Sequence, residues 1–161
     1  MKRKTRSYRQ HLLRFPGAAL AGLLLCSGPA LAQQPELPST TLSADIYVIH
    51  AEVADTPATR ELGLMRRKSM PMGAGMLFVF DESARHCMWM KNTLIPLSVA
   101  FIDVRGQIVN IADMQPQSET SHCAAQPARY ALEMNQGWFK KRGIAAGRVI
   151  QGLEIFSPAT R

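Results

Sequence analysis

The sequence predicts a mainly β fold: one domain, built as a sandwich or a partly open barrel with one or two short helices. Three observations predict it. The stretches 45–54, 97–102 and 128–134 alternate along the chain with the period of two that sorts side chains onto the two faces of a strand. Proline, glycine and other turn formers cluster between them. Helical signals are confined to two brief segments, with no internal repeat or low-complexity tract.

Residues 1–32 have the pattern of a cleavable export signal. Lys2, Arg3, Lys4, Arg6, Arg9 and Arg14 make a basic start, and Gly17 to Cys26 is an apolar core too short to span a bilayer. Ala30-Leu31-Ala32 supplies the small-x-small cleavage site, placing the mature start near Gln33. Acylation at Cys26 is the rival reading, disfavoured by the bulky Leu25 before it. The expected location is therefore periplasmic or secreted. The whole chain carries 19 basic and 12 acidic residues; losing the six basic ones leaves 13 against 12. That near-neutral balance argues against a nucleic-acid partner. About 129 residues remain, enough for one core. No second apolar run approaches membrane-spanning length.

Residues 33–44 (QQPELPSTTLSA) read as a flexible linker, and 45–161 as the single β-rich domain. Asp45 to Ala54 predicts a strand with Tyr47, Ile49, Ala51 and Val53 on one face and Ile46, Val48, His50 and Glu52 on the other. A short helix follows, capped by Asp55 or Thr56, with Pro57 in its first turn and Gly63 at its end. Gly75 to Phe80 lacks alternation, as a strand covered on both faces would. Leu97, Val99 and Phe101 alternate with Ser98 and Ala100, the pattern of a half-buried strand. Asp103 to Gly106 is a turn that joins 97–102 to 107–112 as a hairpin. Met114 to Pro127 is a polar loop, and 128–134 a strand with Tyr130, Leu132 and Met134 opposite Arg129 and Glu133. Asn135 can cap a short helix over 137–142, stopped by Gly143; 149–150 and 154–156 are candidate closing strands.

Several ordered motifs carry a family resemblance. They are Gly63-Leu-Met-x-Arg67, Gly75-Met-Leu-Phe-x-Phe80, Trp89-Met-Lys-Asn-Thr-x-Ile-Pro-Leu97, Tyr130-Ala-Leu-Glu133, and the spacing of Gly137, Gly143 and Gly147. Together they resemble the domain-of-unknown-function 192 family over roughly 46 to 156. The resemblance implies a compact, mainly β domain of jelly-roll-like character and no established activity. Ser98 stands where that family's pattern usually has Asp, and Arg148 where Asp often follows Gly147.

Five readings compete for these residues. Cys87 and Cys123, two cysteines in an oxidising compartment, predict a disulfide that pins the 114–127 loop beside the central run. The dipeptides His86-Cys87 and His122-Cys123 offer a zinc donor set, but neighbours on a strand point to opposite faces. His86, Met88 and Met90 offer soft ligands for Cu(I), with Met70, Met72 and Met76 nearby in sequence. Methionine is also a core gap-filler, so no cofactor is expected, with copper the alternative. A hydrolase would draw on Ser98 or Thr93 with His50, His86 or His122, or on carboxylates among Glu52, Asp103 and Glu133; none sits in a motif that explains its spacing. The favoured reading is a non-catalytic binding domain. Trp89, Lys91, Asn92 and Thr93, with Arg66 and Glu133, supply an aromatic face, charges, an amide and a hydroxyl for a small polar or glycan-like ligand or an envelope protein partner.

Overall fold

The computed structural model describes residues 37–156. Residues 1–36, which include the expected export signal, and residues 157–161 lie outside them. The elements in chain order are strands β1 (Ser39–Ala44) and β2 (Tyr47–Ala54), helix α1 (Pro57–Leu62), then β3 (Ala74–Ala84) and β4 (Cys87–Met88). Strands β5 (Leu97–Ile102), β6 (Ile108–Met114), β7 (His122–Cys123), β8 (Ala128–Asn135) and β9 (Ile150–Gln151) follow.

Seven strands form one curled sheet in the order β6-β5-β8-β3-β2-β1-β9, a half-barrel, while β4 and β7 make a separate ribbon. All named neighbours run antiparallel except β2 and β3, which are parallel and joined through α1. The sheet's two ends approach each other. Gln107, just before β6, bridges Val149, just before β9, and the Ile108 amide donates to the Arg148 carbonyl at 2.8 Å.

Alternation in the strands builds two cores, one on each face of the sheet. Ile49, Ala51, Leu77, Ala100, Ile102, Tyr130, Leu132 and Met134 point into the first, which Trp138, Phe139 and Leu153 complete. Met76, Phe78, Leu97, Val99, Phe101 and Ala131 point into the second, covered by Leu64, Met90, Ile95, Met114 and Ala124. At roughly 1.5–3 kcal/mol for each large apolar side chain removed from water, both layers contribute substantially to folding.

This second layer changes several expectations. Strand 97–102 is buried along its whole length rather than on one face. Its smaller side, Ser98 and Ala100, leaves room for the first core, and alternation alone does not show that both faces are covered. Ser39–Ala44, expected as linker, is a strand paired to β2 from Ser39↔Glu52 to Ala44↔Tyr47. Its short, polar residues suit a strand whose outer face meets water. Residues 154–156 form a 3-10 turn, not a strand. Asn135 ends β8 instead of capping a helix, donating from Nδ2 to the carbonyls of Met70 and Pro71 at 3.0 and 3.1 Å. The helix expected over 137–142 contracts to a 3-10 turn at Lys140–Arg142 closed by Gly143 in the left-handed region.

Candidate functional site

Helix α1 starts and stops where its sequence dictates. Thr56 Oγ1 accepts from the Thr59 amide at 3.2 Å and Thr59 Oγ1 accepts from the Thr56 amide at 3.0 Å, a reciprocal cap. At the other end Gly63 has φ of +46°, and a Cβ there would lie 3.2 Å from the Phe78 ring. Only glycine lets the chain turn so closely against β3. Arg60 then fastens the helix to that strand: its guanidinium donates to the carbonyls of Asp55 (2.7 Å) and Val79 (2.8 Å) and to Asp81 (2.7 Å).

Opposite α1 runs the segment Trp89–Thr93, held from behind by the 114–127 loop. Cys87 and Cys123 face each other across the β4–β7 ribbon and are disulfide-bonded, their Cα atoms 3.9 Å apart. The expected pairing is therefore present. The Met90 amide donates to Ser118 O at 2.9 Å and the Gln117 amide to Thr93 O at 3.0 Å. Toward α1, the Arg66 amide donates to Asn92 O at 2.8 Å, and Asn92 Nδ2 lies 3.9 Å from the Met65 sulfur. Asn92 itself adopts φ of +57°, a conformation asparagine tolerates better than most residues.

Between these walls lies an open cleft of about 370 Å³, lined by Ala58, Glu61, Met65, Trp89, Lys91 and Asn92. Trp89 is 46% exposed, and the Lys91 ammonium sits 5.2 Å from its ring centre. Behind the cleft, sharing Glu61, Leu62, Met65 and Trp89 as walls, is a recess of about 30 Å³ that reaches Phe78, Met88, Thr93 and Glu133. Glu133 belongs to β8 and pairs in register with Met76 on β3 and Val99 on β5, so its side chain enters the second core. It is only 4% exposed and has no hydrogen-bond or ion-pair partner among the described residues. Burial pushes its carboxyl up to about 8, so it holds its proton at neutral pH.

Of the residues singled out in the sequence, Trp89, Lys91, Asn92, Thr93 and Glu133 gather around these two compartments. Arg66 does not line them: its side chain is exposed and only its amide ties the wall. Arg67 forms a two-pronged ion pair with Glu52, whose second bond is 2.6 Å. The soft-ligand trio falls into separate settings. Met88 lines the recess, Met90 is wholly buried in the second core, and His86 stacks on Phe80 with ring centres 3.7 Å apart. The zinc set loses both thiols to the disulfide, and no group of three or more His, Cys, Asp or Glu is gathered among the described residues.

Among the hydroxyl and carboxylate candidates, Ser98, Asp103 and Glu52 have structural partners. Ser98 Oγ is bonded to Asp113 Oδ1 and accepts from the Gly137 amide at 2.8 Å. Asp103 accepts from the Arg105 and Gln107 amides of its own turn at 2.8 and 2.9 Å. Arg148, at the other family departure, lies 3.8 Å from Asp45. Sequence reasoning missed Arg60, Glu61 and Met65 as walls of the site. Its available signal was the helix stop at Gly63, which brings the segment after α1 back over β3. A second groove of about 630 Å³, between β6 and the 139–146 segment, was also unforeseen; it is bordered by Ser98, Asn110, Asp113 and Lys140.

The curled sheet, its two-sided core and the α1–Trp89 cleft define a class of small β domains with a recessed carboxyl. Residues 40–152 match the model of family DUF192, described as an uncharacterized ACR. The chain belongs to this family. Among solved structures it is similar to a Sinorhizobium meliloti 1021 protein described as a candidate transcription regulator. The identity is 33%, the TM-score 0.70, and the match covers 74% of this chain and 97% of that one. It is also similar to a protein of unknown function from Novosphingobium aromaticivorans DSM 12444, at 30% identity and TM-score 0.71, over 78% of this chain and 94% of that one. No curated protein matches.

Proposed function

We propose that the protein is an exported, non-catalytic binding domain that takes a small polar or glycan-like ligand in the cleft between α1 and Trp89–Thr93. The carrying observation is Glu133: a buried carboxyl without a partner among the described residues, at the back of an open cleft rimmed by a half-exposed tryptophan. A polar group buried in this way costs stability unless something hydrogen-bonds to it. Trp89 supplies a flat apolar face, and Lys91 and Asn92 supply directional polar contacts at the rim. A binding rather than hydrolytic role is supported by Ser98, whose hydroxyl is engaged by Asp113 and Gly137. Export is supported by the basic start, short apolar core and Ala-Leu-Ala site of residues 1–32. The description of the Sinorhizobium relative raises nucleic-acid regulation. The near-neutral balance of 13 basic and 12 acidic residues beyond the signal speaks against it here.

The test is ligand-observed NMR on a panel of sugars, amino sugars, amino acids and small polyols, run on the wild type and on Trp89→Ala. The expected result is at least one binder whose signal drops tenfold or more in the variant. A panel with no hits, or with hits indifferent to Trp89, would overturn the proposal.

A further inference from the structure

We propose that the recess at Glu133 receives the protonated amine of the ligand, the carboxyl releasing its proton to solvent as the ammonium docks. This rests on the cleft proposed above as the binding site and names the chemistry of its inner end.

Three observations carry the inference. The first is size. The recess, about 30 Å³, is a small fraction of the outer cleft's 370 Å³, so it suits a compact head group rather than a ring. The second is the lining. Phe78 and Trp89 present aromatic rings, Met65 and Met88 thioethers, and Thr93, Glu61 and Glu133 side-chain oxygen atoms. Aromatic faces and a carboxylate attract a cation, whereas neither favours an anion.

The third is the charge inventory. The elements packed against Glu133 bring few charged groups. Its register partners on β3 and β5 are Met76 and Val99, and the 88–93 segment adds Met88, Trp89 and Thr93 to the recess. Only α1 contributes charged residues to the recess wall, Arg60 and Glu61. Arg60 is bound to Asp81 at 2.7 Å, and Glu61 is exposed and shared with the outer cleft, which Lys91 also lines. Glu133 is the buried acid of the recess, with no counter-charge among the described residues, so a cation is the group that completes the site. Binding then follows R–NH3⁺ + Glu133–COOH → R–NH3⁺···⁻OOC–Glu133 + H⁺. Because an amine docks with loss of one proton, its affinity rises with pH until the carboxyl is ionised without help.

The probe is methylammonium chloride, which carries the head group without a body. The carboxyl carbon of Glu133, labelled with 13C and assigned by its loss in Glu133→Gln, is titrated with pH in the presence of methylammonium or of sodium chloride at equal ionic strength. The expected result is a midpoint lower by one pH unit or more in methylammonium, a tenfold change in proton affinity. Equal midpoints in the two salts would overturn the inference, and so would an equal displacement by tetramethylammonium, which has no N–H to donate to the carboxylate. The outcome is independent of the ligand panel. Polar binders that depend on Trp89, together with no methylammonium effect, would leave the cleft as a binding site and remove only the amine.

Discussion

Replacing Glu133 by Gln keeps the shape of the side chain and removes its titration. In the native protein burial raises this carboxyl from 4.5 to about 8. Between those values the folded state binds a proton that the unfolded state has lost, so stability falls as pH rises through the window and levels off above it. At about 1.36 kcal/mol per pH unit, the full crossing costs the wild type on the order of 4–5 kcal/mol. Glu133→Gln, with no proton to lose, escapes that loss. The two proteins should have similar urea midpoints at pH 4.5, where both side chains are neutral. By pH 9 the variant should be the more stable by several kcal/mol. The measurement is urea unfolding at half-unit intervals from pH 4.5 to 9, with equal m-values as the check that only stability has changed. Other titrating groups are common to both proteins and cancel in the difference. Parallel stability curves would show that the carboxyl is hydrated or paired in solution, and would refute the reasoning.

Other perturbations test other parts of the structure. Gly75→Ala places a Cβ against the Met134 sulfur and within 2.6 Å of the Glu133 carbonyl oxygen, in the middle of the sheet. The expected cost by thermal or chemical unfolding is about 1–3 kcal/mol, and a neutral change would mean the β3–β8 approach is looser than described. Breaking the Cys87–Cys123 bond, with Ser at both positions, releases a constraint spanning 36 residues. On the chain-entropy relation this lowers stability by about 4 kcal/mol, with the fold retained because both cores remain. Non-reducing peptide mapping of wild type should find the 87–123 pair and no free thiol beyond residue 32. N-terminal sequencing of the exported protein should begin near Gln33, and a product that keeps residues 1–32 or carries lipid on Cys26 would contradict the export signal.

How much of this was legible in the sequence depended on whether the information was local. The reciprocal Thr56–Thr59 cap, Pro57 and Gly63 lie within eight residues, and α1 follows from them. The hairpin around Asp103–Gly106 is local in the same way. The two faces of β2 were readable because one meets water: Ile49, Ala51 and Val53 are buried while Val48 and His50 are exposed. Strand β8 was harder. Glu133 looks like an outward residue opposite Leu132 and Met134, yet the outer face is roofed by Leu64, Met90 and Ile95 from distant segments. No pattern within 128–135 records that roof. The site shows the same division. Trp89 to Thr93 could be singled out because aromatic and polar residues adjoin in the chain. Arg60, Glu61 and Met65 become neighbours of that stretch only through the crossover from β2 to β3. Likewise Ser98 reads as a free hydroxyl until Asp113 and Gly137 arrive from two other elements.

The back and the rim of the cleft are made of different kinds of structure. Glu133 sits on a strand bonded to β3 on one side and β5 on the other, in the middle of a seven-stranded sheet. The rim is a six-residue helix with no fully buried residue and a segment whose Trp89, Lys91 and Asn92 face water. Amide exchange with deuterated solvent should therefore split sharply over a short distance, slow to the global limit at 131–134 and fast at 58–62 and 91–92. On the proposed reading, a ligand bound for Glu133 would have only to displace this rim. The doorway can then breathe on its own clock while the carboxyl at the back stays fixed, so access and affinity can be altered by separate mutations.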